Sequence, residues 1–206
     1  TVASTLSVLI ERVGPRAVPY APRLVQLVPM LWGHDDPEAR AKPSILEFLS
    51  KLAAAIGPSL KDANDAVLQQ LHATVAYVVR DSLTPALAPL LGYDALLLYV
   101  HTLQSTRHLS QELFTLAEVA VPLVLQPDYS PLVCRLWEEL CLLVPIDALQ
   151  HYGAAVYGAL ATLFADRDSP VVVAPLGAIE CHLRALTAAE RPEVLRYFVE
   201  LLHSTN

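Results

Sequence analysis

Cys181 and His182 are adjacent, and a thiol beside an imidazole is the raw material of a nucleophile or a soft-metal site. On a helix, neighbouring side chains point about 100° apart. The pair therefore cannot chelate one ion or share one proton. Cys134 and Cys141 lie seven residues apart in an apolar helical stretch, so they share a face and read as core. His34, Asp35 and Asp36 offer cation ligands, but in the 33–37 turn they read as a solvated acidic loop capping a helix. His101 and His108 flank a helix end without a nearby acid in a triad pattern. Glu138 and Glu139 diverge on one helix, so they are not a carboxylate pair for acid–base work. Asp166-Arg167-Asp168 reads as a charged turn between helices, a place for solvent or for a partner.

The seven glycines are scattered and form neither a dinucleotide fingerprint nor a phosphate loop. No Gly-x-Ser-x-Gly elbow, His-Glu-x-x-His or Cys-x-x-Cys occurs. The expectation is a protein that is not an enzyme and needs no metal or cofactor. A helical enzyme would need polar residues converging at one depth of the core, and no such set is visible.

The helices that must position these side chains announce themselves through breaks. Val13-Gly14-Pro15 ends one apolar helical run, and 43 residues later Ile56-Gly57-Pro58 ends another. Gly permits the left-handed residue that closes a helix, and Pro cannot continue one. Apolar periodicity predicts helices over 2–13, 20–31, 43–56, 64–80, 85–104, 111–125, 131–143 and 147–165, then two more starting near 170 and 193. Their inward residues are expected to include Leu6, Leu9, Ile10 and Val13 in the first. The second should bury Leu24, Leu27, Val28 and Leu31, and the third Ile45, Leu46, Leu49, Leu52, Ala53 and Ile56. Asn64, Thr84 and Ser110 are expected N-caps, and Pro89 is expected to kink its helix or reset its start. Turns within pairs then fall near 14, 57, 105, 145 and 188. Such spacing describes an all-α solenoid of about five HEAT-like helical hairpins, continuous over 1–206 with no domain boundary. A solenoid is first of all a binding surface.

Composition agrees with an array. Apolar residues make up 54% and charged residues only 17%, with a mean hydropathy of +0.41. That is too apolar for a self-sufficient globule, and it fits a segment from inside a longer stack, where end units lack neighbours. The longest charge-free window, 148–165, is 18 residues long and carries Gln150, His151 and two glycines, so no membrane span is expected. No signal peptide is visible. A net charge of −7 argues against direct nucleic-acid binding and is compatible with basic protein partners. Three cysteines in apolar contexts do not make a disulfide framework.

The run Leu6-Ser7-Val8-Leu9-Ile10-Glu11-Arg12-Val13, then Pro19-Tyr20, then Leu24-Val25-Gln26 with Pro29, Leu31 and Trp32, resembles the importin-β superfamily of nuclear transport receptors, in particular the importin-eleven type. Leu96-Leu97-Leu98-Tyr99 fits the same segment less tightly. The resemblance implies about a quarter of a receptor, from its C-terminal half. It further implies partners: protein cargo, the GTPase Ran in its GTP form through the full-length receptor, and nucleoporins bearing Phe-Gly repeats. The protein would shuttle between nucleus and cytoplasm. Second helices would line a concave surface for cargo and Ran, which singles out Asp62, Asp65, Arg80, Glu112 and Glu118. First helices would face the pore, which places Phe48, Tyr99 and Trp137 beside pockets for Phe-Gly repeats. The alternative is a constitutive HEAT scaffold, such as a phosphatase subunit or a coat adaptor, indifferent to any nucleotide state.

Overall fold

The computed structural model describes residues 2–33, 39–62, 65–120, 123, 126 and 128–143. The expected features at His34 to Asp36, Asn64, Pro122, Val144-Pro145, Asp166 to Asp168, Cys181 and His182, and the helices expected beyond 147, lie outside the described residues. Two compact units divide the chain, Thr1–Val119 and Ala120–Asn206. Among the described residues the structure is helical without strands: α1 (Val2–Val13), α2 (Ala21–Trp32), α3 (Lys42–Ile56), α4 (Ala66–Ser82), α5 (Ala88–Thr106), α6 (Gln111–Ala120) and α7 (Ser130–Leu143).

Prolines open several of these helices. Pro22, Pro43 and Pro89 sit in the first turn of α2, α3 and α5, where a missing N–H costs nothing and a fixed φ helps. Pro89 thus resets the start of α5. Thr84 does not cap that helix. Its hydroxyl donates back to the Asp81 carbonyl at 2.7 Å, and 84–87 form turns before α5 begins at Ala88. Asp65 caps α4, accepting from the Val67 and Leu68 amides at 2.7 and 3.4 Å. Ser110 caps α6 as expected, through the Leu113 amide.

The two Gly-Pro breaks differ in cause. Gly14 has φ +55°, the left-handed residue the sequence suggested, and a short 3₁₀ stretch, Gly14–Tyr20, carries the chain into α2. Gly57 has φ −50°, an ordinary helical value. Its lack of a side chain serves packing instead, because a Cβ there would stand 2.8 Å from the Ser105 backbone at the end of α5. The α5 end is closed by Arg107 at φ 55°, whose amide donates to the Leu103 carbonyl.

Within the first unit, α1, α3 and α5 pack side by side as one row, and α2 packs on α4 in the other. The core lies between the rows. α3 buries Ile45, Leu46, Phe48, Leu49, Leu52, Ala53 and Ile56, and α4 buries Leu68, Leu71, Val75, Val78 and Val79. The helix hydroxyls of Ser82, Thr102 and Thr106 are satisfied by the carbonyl four residues back. The first hairpin departs from expectation. α1 buries Ala3, Ser7 and Ile10 and leaves Leu9 and Val13 exposed; α2 buries Ala21, Val25, Val28 and Trp32 and leaves Leu27 exposed. Small residues face α3 because its packed face already fills the space between the helices. In the second unit, α7 buries Leu132, Val133, Cys134, Leu136 and Leu140.

Candidate functional site

Two open grooves, one on each helix row of the first unit, can each hold another molecule. The first lies between second helices α4 and α6, with a volume of about 580 Å³. Ala73 and Ala76 make its floor; Tyr77, Arg80, Asp81 and Thr84 line it from α4 and the turn that follows, and Gln111, Glu112 and Thr115 from α6. The Arg80 guanidinium donates across the groove to the Thr115 hydroxyl at 3.3 Å. The Glu112 backbone amide and the Ser110 hydroxyl hold the Glu112 carboxyl below its usual range, so it stands as an exposed anion. Tyr77 is half exposed beside them. Exposed Tyr and Arg in a concavity are the residue types that carry most interface energy.

The second groove lies between first helices α3 and α5, with a volume of about 590 Å³. Leu46, Ala54, Leu97 and Leu98 give it an apolar lining, and Glu47, Ser50, Lys51, Asp94 and His101 give it polar walls. Ser50 and the His101 Nδ1 are 2.7 Å apart and tie the two helices across it. Lys51 bridges Glu47 and Glu11 at 2.9 and 3.1 Å, and these carboxylates raise its pKa.

Of the residues singled out from sequence, Arg80 and Glu112 come together in the α4–α6 groove. Asp62 is exposed ahead of α4, Asp65 serves as the α4 cap, and Glu118 is exposed on α6; none of these three lines the groove. Phe48 and Tyr99 are completely buried and Trp137 is 8% exposed. Their rings are core, so neither Phe48 nor Tyr99 has a face to offer an inserted side chain. The Tyr99 hydroxyl donates to the Leu113 carbonyl, and burial pushes its pKa up. The apolar side chains that do line the outer groove are Pro43, Leu46, Ala54, Leu97 and Leu98, of which sequence patterning had assigned Leu46 to the core.

Two buried polar clusters hold the helices in place around the grooves. At the junction of the first two hairpins, the Trp32 indole N–H donates to Asp81 at 2.8 Å, and Lys42 reaches the same oxygen at 3.0 Å. The Lys42 ammonium also lies 4.6 Å from the centre of the Trp32 ring. Asp81 thereby ties α2, α3 and α4 while lining the inner groove. Deeper in, His72 is 1% exposed, with Nε2 at 3.2 Å from the Thr106 hydroxyl. That hydroxyl also reaches the Thr102 carbonyl at 2.9 Å, so the pair ties α4 to the end of α5. Burial, with His108 nearby, pushes the His72 pKa down to about 4.

Among the described residues no cluster of His, Cys, Asp and Glu can hold a metal ion, and no helix is long and apolar enough to cross a membrane. The fold is that of an all-α helical-repeat solenoid, a class whose business is holding other proteins. The family described as Importin-11-like, TPR repeats matches residues 43–206, and the chain belongs to that family. No curated protein and no solved structure matches it.

Proposed function

We propose that this chain is a protein-binding segment of a Ran-dependent nucleocytoplasmic transport receptor that carries protein cargo into the nucleus. The observation that carries the reading is the pair of grooves of similar size on the two rows of an array belonging to an importin-like family. In this reading the α4–α6 groove takes cargo, with Arg80, Glu112 and the half-exposed Tyr77 as its contacts. The α3–α5 groove takes the Phe of a Phe-Gly repeat against Leu97 and Ala54. Asp62, Asp65 and Glu118 extend the cargo side. Cargo and Ran-GTP compete by favouring different curvatures of the receptor, each only to the extent of its differential affinity. The receptor shuttles between nucleus and cytoplasm without catalysis.

The test is retention of the full-length parent on immobilised Ran, loaded with GTP in one arm and GDP in the other. Retention on the GTP form alone supports the receptor. Equal retention on both, or none, replaces it with a constitutive scaffold.

A further inference from the structure

Thr84 does not cap α5, and its side chain is left exposed while lining the α4–α6 groove. α4 closes at Ser82 and α5 opens at Ala88, so Thr84 and Pro85 stand in the exposed turn between them. That turn is held through its backbone: the Leu87 and Ala88 amides donate to the Thr84 carbonyl at 3.0 and 2.8 Å. The Thr84 hydroxyl makes one exposed bond, donating to the Asp81 carbonyl.

Pro85 decides what can act on that hydroxyl. A residue before Pro is steered out of the helical region towards extended backbone, the form in which a protein-kinase cleft takes its substrate. Pro also has no amide N–H, so a cleft that offers the following residue no acceptor strands nothing there. The sequence holds two more such pairs, Ser130-Pro131 and Ser169-Pro170. Ser130 is the first residue of helix α7, and Ser169 lies outside the described residues.

A phosphate on Thr84 would meet a partner already in the groove. Arg80, four residues earlier, is the one cation among the described residues that line it. It makes no ion pair with a described residue; its guanidinium donates to the neutral Thr115 hydroxyl at 3.3 Å in an exposed bond. The groove's two carboxylates are engaged elsewhere. Asp81 holds Trp32 and Lys42, and Glu112 is held by Ser110 and its own backbone amide. A phosphothreonine brings a charge of about −1.5 to −2 and three acceptor oxygens, and so binds a guanidinium more strongly than a neutral hydroxyl does.

We propose that Thr84 is the phosphoacceptor of a proline-directed protein kinase, and that its phosphate takes Arg80 from Thr115. In the transfer, Thr84 Oγ1 bonds to the γ-phosphorus of ATP as the bond from that phosphorus to the β–γ bridging oxygen breaks. ADP leaves, and the hydroxyl proton passes to the kinase's catalytic carboxylate. The groove gains a dianion and loses the Arg80–Thr115 bond between α4 and α6. On the reading of this groove as the cargo site, cargo then meets a phosphate where it met a guanidinium.

The test is incubation of the folded 206-residue chain with ATP and a proline-directed kinase, with the modified residue located by mass spectrometry. Phosphate should appear on Thr84. Pro85→Ala, in an exposed turn, should abolish that transfer while circular dichroism shows an unchanged fold. Phosphorus NMR then follows the titration of the phosphothreonine. Arg80→Gln should raise its second pKa, ordinarily about 6, by about half a pH unit, and Arg12→Gln on α1 should leave it in place. Phosphate confined to Ser130 or Ser169, phosphate on Thr84 in a short peptide but not in the folded chain, transfer indifferent to Pro85, or the same titration with and without Arg80 overturns the inference. Transfer and titration require neither cargo nor Ran, so they succeed or fail apart from the transport reading.

Discussion

Two glycines that look alike in sequence should fail in opposite ways when replaced. At Gly14 the backbone sits at φ +55° and nothing lies within 4 Å of an added Cβ. Gly14→Ala therefore meets only left-handed strain, a cost of about 1–2 kcal/mol. Gly14→Asn should recover much of it, since Asn tolerates that region. At Gly57 the backbone is right-handed, and Ala would by itself be preferred by about 1 kcal/mol. The new Cβ, however, would stand 2.8 Å from the carbonyl carbon and oxygen of Ser105. Those atoms belong to the last turn of α5 and cannot swing aside like a side-chain tip. Forcing α3 and α5 apart costs about 1–3 kcal/mol, more than the helical preference returns. Gly57→Ala should thus destabilise by up to about 2 kcal/mol, and Gly57→Asn by more, with no rescue. Urea unfolding of the five proteins, followed by circular dichroism, measures this directly, at about 4 °C of melting temperature per kcal/mol in the thermal version. If Asn rescues at 57, or if Gly57→Ala stabilises, the close approach of the α3 and α5 ends is not a packing constraint and the argument fails.

Other outcomes follow from the polar bonds. Asp65→Ala removes the α4 cap and should cost about 1 kcal/mol, whereas Asp65→Ser should cost much less; equal loss in urea midpoints would deny the cap its role. Asp81→Ala strands both the Trp32 indole and the Lys42 ammonium and should cost about 2 kcal/mol, while Asp81→Asn keeps an acceptor and should lose less; equal losses would refute the cluster. His72 has a folded pKa of about 4 against an ordinary 6.5, so the unfolded chain binds its proton first as pH falls. Its contribution is complete above pH 6.5 and falls by about 1.4 kcal/mol per pH unit towards pH 4, about 3 kcal/mol in all; His72→Gln should flatten that stretch of the stability–pH curve, and an unchanged curve would refute it.

Where a helix is packed on one broad face, its periodicity predicted the buried residues. On α3 all six expected positions, from Ile45 to Ile56, are buried. On α1 and α2 it held only for Ile10 and Val28, for a physical reason. Those helices carry two candidate faces: a large-residue stripe, and a second stripe beside it that on α1 is built from Ala3, Ser7 and Ile10. Hydropathy alone selects the larger one. Packing against an α3 already filled with Phe48, Leu49 and Leu52 selects the smaller on α1. The same ambiguity governs the site. Arg80 and Glu112 were found because charges on second helices have only the open side to occupy. The aromatic rings of Phe48 and Tyr99 were assigned to a surface they do not reach, because a ring at helical spacing fits core and groove equally. The residues used to recognise the family, between Leu6 and Trp32, also precede the matched segment.

Apolar burial holds hairpins together but is non-directional, so it does not by itself decide how far one hairpin slides or tilts on the next. Fixed hydrogen bonds do, because each has one short distance and a narrow angle. The described contacts distribute these bonds unevenly. Between the second and third hairpins stand His72 with Thr106, Ser50 with His101, Arg80 with Thr115, and the Gly57–Ser105 approach. Two of these, Ser50 with His101 and Arg80 with Thr115, line the two grooves. α1 and α3 are linked by Ser4 with Ser44 and the largely exposed Glu11–Lys51 pair, bonds of the kind that contribute little. The Trp32–Lys42–Asp81 cluster therefore bears the register of the first hairpin. Curvature of this stretch should change first at the Asp81 junction, since loosening one shared carboxylate there frees two helices at once, whereas moving the second and third hairpins apart breaks several bonds together.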